Sequence, residues 1–81
     1  MNANPMTFEL RGEFITLDAL LKATGLADSG GSAKTLIASG QVRVGGEVET
    51  RRGRKLRPGD EARLGEQQVL ICAAGAAPGK P

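Results

Sequence analysis

Histidine, tyrosine and tryptophan are absent from this chain of 81 residues, and cysteine occurs once, at Cys72. Without histidine, the commonest general base near neutral pH and the commonest metal ligand are both missing. A single thiol excludes an internal disulfide. Cys72 ends the apolar run Val69-Leu70-Ile71-Cys72 and reads as a small buried hydrophobe in a reducing compartment. No apolar run approaches the ~18 residues that cross a bilayer, and no signal-peptide pattern opens the chain. Cytoplasm is therefore the expected location, with no membrane partner, no metal and no cofactor. The only aromatics are Phe8 and Phe14, both expected in the core.

What remains is one small domain. A chain this short buries only about 60% of the surface its unfolded form exposes, which leaves little for an elaborate cavity. Net charge is only +2, but its distribution is lopsided. Arg51, Arg52, Arg54, Lys55 and Arg57 place five positive charges within residues 51–57. Such a local field is a common footprint of nucleic-acid binding.

The periodicity of the chain predicts an α+β fold: two short helices packed on a small, mostly antiparallel β-sheet. Residues 1–5 are expected to form a flexible leader, 6–72 a single domain and 73–81 a disordered tail. Met6 to Leu10 alternates apolar and polar residues as a half-buried strand does, Arg11-Gly12-Glu13 reads as a turn, and Phe14-Ile15 resumes an extended piece. Thr16 is placed to cap a first helix with its hydroxyl, with Leu17, Leu20, Leu21 and Thr24 on one face and Gly25 as its stop. Asp28 or Ser29 caps a second helix, whose apolar stripe is Ala33, Leu36 and Ile37 and whose end is Gly40. Neither helix is long enough to be stable alone in water, so each must pack.

Gln41 to Val44 reads as a strand, Gly45-Gly46 as a tight turn and Glu47 to Glu49 as the return. A strict two-residue turn would pair Val44 with Glu47 and put Val48 on the face of Arg43, so either a bulge intervenes or the pairing is brief, and a bulge or a longer loop is expected. Arg57-Pro58-Gly59-Asp60 has the pattern of a type II turn. Glu61 to Leu64 and Gln67 to Ile71 then form a hairpin joined at Gly65-Glu66.

Three motifs invite chemistry. Gly25 to Gly30 has the first spacing of a phosphate loop, but Gly31, Ser32 and Ala33 separate it from Lys34-Thr35. A helix-loop-helix turn explains it better, although Gly30 and Gly31 leave bare amides suited to one backbone phosphate. Glu47 and Glu49 share a strand face as paired catalytic carboxylates do, yet no histidine or metal cluster stands near. A solvated face or pairing with the adjacent arginines fits better than acid–base catalysis. The run RRGRKLR could be plain solvated surface. Lys34 and Arg43 would extend it into a single basic stripe. With no Tyr or Trp and both Phe expected inside, such a surface would read backbone and shape, which suits folded RNA.

Leu17-Asp18-Ala19-Leu20-Leu21-Lys22, Gly25-Leu26, Ser29, Ala33-Lys34, Leu36-Ile37, Gly40, Val42-Arg43-Val44, Gly46-Glu47 and Pro58-Gly59-Asp60 together resemble the S4 RNA-binding domain. The likeness covers about residues 14–70. With Ser-Gly-Gly-x-Ala-Lys and Glu-x-Arg-Arg, the chain is similar to the small stand-alone bacterial members. The resemblance implies an αL motif, two helices and a hairpin whose shared face grips structured RNA. Ser29, Lys34 and Arg43 carry over from that pattern, and the loop cations less directly. Gly30 stands where many members have Arg, and Gly45 where Asn is frequent.

The expected function is thus non-enzymatic binding of structured RNA, ribosomal or otherwise folded, by a monomer. The expected site is Ser29, Gly30, Gly31, Lys34, Arg43, Arg51, Arg52, Arg54, Lys55 and Arg57. One alternative is a β-grasp sulfur carrier, which shares Val-x-Val, a glycine turn and a late Gly-Asp. Its Gly-Gly terminus is not matched by Gly79-Lys80-Pro81. The other is a protein-docking domain with an incidental basic loop.

Overall fold

The computed structural model describes residues 6–74. Strands β1 (Met6–Leu10) and β2 (Ile15–Thr16) precede helices α1 (Leu17–Ala23) and α2 (Gly30–Ala38). Strands β3 (Val42–Val44), β4 (Glu47–Val48), β5 (Lys55–Leu56), β6 (Glu61–Leu64) and β7 (Gln67–Ala73) follow among the described residues. Five strands form a sheet in the order β1-β7-β6-β3-β4, and β2 pairs with β5 in a separate ribbon. Only β1 and β7 run parallel; the other pairings are antiparallel. The fold is α+β, as the periodicity predicts.

Leu17, Leu20 and Leu21 from α1 and Ala33 and Ile37 from α2 are fully buried. They meet Val42 and Val44 of β3, Ala62 of β6, Val69 and Ile71 of β7, and Leu56 of β5 in one cluster. Each large aliphatic side chain so buried contributes about 1.5–3 kcal/mol, which is what secures helices of seven and nine residues. Alternation fixes the faces of the sheet. With Val42 and Val44 toward the helices, Arg43 must point to the outer face.

Four details depart from the sequence expectations. Phe8 packs against the core, but Phe14 is 41% exposed. It lies in the connection before β2, and its neighbour Ile15 takes the inward place beside Leu56. Thr16 stands at the N-cap position of α1 without capping it. Its hydroxyl donates to Asp18 Oδ1 at 2.7 Å, and that oxygen accepts from the Ala19 amide at 2.8 Å. The open amides of Leu17 and Asp18 donate instead to the carbonyls of Arg54 and Arg52, at 2.9 and 3.1 Å.

The β3–β4 turn contains no bulge. Val44 pairs with Glu47 and Arg43 with Val48, across Gly45 and Gly46 at φ +60° and +90°. Both residues of such a turn need positive φ, so two glycines make it strict. The pairing is merely brief, and Val48 is left half-exposed. Finally, β7 runs on to Ala73, which pairs with Leu10. The expected leader, and all of the expected tail beyond Ala74, lie outside the described residues.

The type II turn forms as predicted. The Asp60 amide donates to the Arg57 carbonyl at 2.9 Å, and Gly59 takes φ +98°. The β6–β7 hairpin also closes as predicted, with Leu64 opposite Gln67.

Candidate nucleic-acid interface

The register of the β3–β4 hairpin decides how the basic loop is held. Beyond the Arg43–Val48 pair, the Glu49 amide donates to the Val42 carbonyl at 3.0 Å. Glu49 therefore stands opposite Val42, on the core face, and it is only 7% exposed. A buried carboxylate must be paired. Arg51 Nε and the Arg51 amide each donate to Glu49 Oε2 at 3.0 Å, and Arg54 Nη1 donates to Oε1 at 2.7 Å. These bonds, led by the Arg51 side chain, then Arg54, then the Arg51 amide, lower the Glu49 pKa to about 2 despite burial. In return, Glu49 raises the pKa of Arg51.

The loop is thus tied down twice: through Glu49, and through the Arg52 and Arg54 carbonyls on the first amides of α1. Arg51, Gly53, Arg54, Lys55 and Arg57 line an open groove of about 450 Å³. Arg52 and Arg57 are exposed and make no ion pair among the described residues. Of the five loop cations, two are partly neutralised by Glu49, and three keep their full charge for a ligand.

Ser29 caps α2. Its Oγ accepts from the Ser32 amide at 3.1 Å, which leaves its own proton free to donate. Gly30 and Gly31 form the first turn of that helix, and Lys34 is exposed one turn further on. Lys22, in the last turn of α1, lies close by: its Nζ is 4.0 Å from where a Cβ on Gly30 would sit. Lys22 thus stands beside the start of α2. It was legible only through helix packing.

Arg43 lines a different groove. It stands directly opposite Arg63 of β6, and both line a groove of about 500 Å³ with Gly45, Gly46, Glu61 and Gly65. Arg43 Nη1 reaches the Gly46 carbonyl at 3.4 Å, and Arg63 is 3.9 Å from Glu61. The two grooves share no residue. Arg63 is a second cation that the sequence reading overlooked. The β3–β6 register reveals it, and no local motif does.

Among the described residues no group of three or more His, Cys, Asp or Glu could hold a metal. Nor is any helix there long and apolar enough to cross a membrane. Cys72 is buried, as expected.

Comparison with known proteins gives this arrangement its context. The S4 domain family profile matches residues 8–72. The chain is 43% identical over 58 residues to a probable ribosome maturation protein RlbA of Bacillus subtilis, covering 72% of this chain and 79% of that one. It is 40% identical over 68 residues to the putative RNA-binding protein YbcJ of Escherichia coli, covering 83% and 97% of the two chains. The matched span holds both helices, the Gly-Gly hairpin and the basic loop, and on that evidence the chain belongs to the S4 domain family.

Proposed function

We propose that this protein binds structured RNA, ribosomal or otherwise folded, as a non-enzymatic monomer in the cytoplasm. The observation that carries the reading is the loop groove, with Arg51 and Arg54 held on Glu49 and the loop backbone held on α1 before any ligand arrives. Pre-ordered charge loses less entropy on binding than charge on a mobile loop. The names of two relatives, one a ribosome maturation protein and one an RNA-binding protein, point the same way.

Roles follow from exposure. Arg52, Lys55 and Arg57 meet phosphates, while Arg51 and Arg54 shape the groove and offer their remaining N–H groups. Ser29, Gly30, Gly31 and Lys34, joined by Lys22, form a second phosphate contact at the start of α2. Arg43 contributes from the hairpin, together with Arg63. Ultraviolet crosslinking in cells, followed by sequencing of the attached RNA, tests the reading. Enrichment of defined segments of folded RNA is expected. A protein that crosslinks to no RNA, or to none above background, would overturn it.

A further inference from the structure

Phe14 is exposed, and it lies against the loop groove. The residue is 41% exposed, and Lys55 Nζ lies 4.9 Å from the centroid of its ring. Lys55 is also a wall of the groove formed with Arg51, Gly53, Arg54 and Arg57. The β2–β5 ribbon links the segment of Phe14 to the wall of the groove. Ile15 pairs with Leu56, Thr16 with Lys55, and the Leu17 amide holds the Arg54 carbonyl. Phe8, the other aromatic, packs against the core, so Phe14 offers the one exposed aromatic ring among the described residues.

An apolar ring in water beside a row of cations suits one chemistry above others: a flat, uncharged group attached to an anionic backbone. We propose that Phe14 is a stacking platform for one unpaired base of the bound RNA. The Lys55 ammonium leaves the ring for a neighbouring phosphate as the base arrives. The exchange is favourable because a base–aromatic stack is worth more than a solvent-exposed cation–π contact. Recognition of structured RNA would then include a bulged, looped or terminal nucleotide beside the helix, in addition to backbone and shape. The inference rests on the RNA-binding reading. Its rival is a purely structural Phe14–Lys55 contact that fastens β2 to β5.

The test compares a blunt-ended, fully paired RNA duplex with the same duplex carrying one bulged purine, for the wild type, Phe14→Leu and Phe14→Trp. The wild type is expected to prefer the bulged form by about tenfold. Phe14→Leu keeps the apolar bulk without the π face. It should bind the paired duplex as the wild type does and lose the preference. Phe14→Trp should keep the preference, and its fluorescence should be quenched by the unpaired purine only. A folded Phe14→Leu protein that retains the preference overturns the proposal, as does a Trp variant whose fluorescence is unchanged at RNA saturation. Equal binding of both duplexes by the wild type removes the stacking site and leaves RNA binding intact. Binding of neither removes both.

Discussion

Arg54 Nη1 lies 2.7 Å from Glu49 Oε1, and this contact joins the edge of the sheet to the loop that carries most of the clustered charge. Arg51 closes on the other oxygen of the same carboxylate at 3.0 Å. Glu49 reaches that position because a two-residue turn leaves it opposite Val42, facing inward at the end of the hairpin. An acid inside a basic site is otherwise a handicap for binding an anion. Here it sets the shape of the loop at the cost of some positive potential.

Glu49→Gln should therefore destabilise the fold. The amide keeps the size but supplies one weaker acceptor to two guanidinium groups and a backbone amide. A fall in Tm of about 4–8 °C is expected, which is the scale for one strong contact in a domain of this length. Glu47→Gln, at an exposed position of the same turn, is the control and should leave Tm nearly unchanged. Equal Tm values for the two variants and the wild type would show that the carboxylate does not brace the loop.

The same group sets a pH dependence. The folded Glu49 pKa is about 2, against an ordinary 4.5, so the folded state holds the charged form more tightly than the unfolded one does. Its stabilisation is complete above the unfolded value and is lost as pH falls from about 4.5 through about 2. Tm scans should show the wild type losing more stability than Glu49→Gln across that window, and the two curves should converge at its acid end. Parallel curves would contradict the assignment.

The Gly45-Gly46 turn gives an independent test of the register. Gly45 sits at φ +60°, which asparagine tolerates, and a Cβ there meets nothing within 4 Å. Gly45→Asn should be neutral or stabilising by up to about 1 kcal/mol, through lower entropy of the unfolded chain. Gly46, at φ +90°, should not accept a β-branched residue, and Gly46→Val should cost roughly 1–3 kcal/mol. Chemical denaturation of both variants measures the difference. A tolerated valine would mean that the turn is not the strict two-residue form.

Much of this fold was legible in the chain, because local rules fix it. The leucine spacing of α1, the stripe of α2 and the turns at 45–46, 57–60 and 65–66 each follow from neighbours in sequence. The parallel pairing of β1 with β7 was not legible, since it joins Met6 to Val69 across nearly the whole chain. Nor was the β2–β5 ribbon, two residues to each strand. Phe14 was misplaced because composition says that a phenylalanine prefers the interior, not which of two will find room there. Glu49 was half legible: pairing with the adjacent arginines is among the readings the sequence offers, and the ion pairs with Arg51 and Arg54 bear it out, but its inward position was missed. The strict turn already put it on the face of Val42, and only the expectation of a bulge concealed that. Arg63 and Lys22 needed the register and the helix packing, which no motif encodes.

The most direct measurement is the salt dependence of binding to a folded RNA, for the wild type and for Arg52→Ala/Arg57→Ala. If about four to six of the named cations meet phosphates, log K should fall against log salt with a slope on the order of −3 to −5. Removing two side chains that make no ion pair among the described residues should flatten that slope by roughly 1.5–2 units, whatever the RNA sequence. Tm should hardly move, since both side chains are exposed and the Arg52 carbonyl that holds α1 is untouched. That pattern is the result predicted for a basic loop that grips the RNA backbone. A double variant that stays folded and keeps the affinity and slope of the wild type would contradict it.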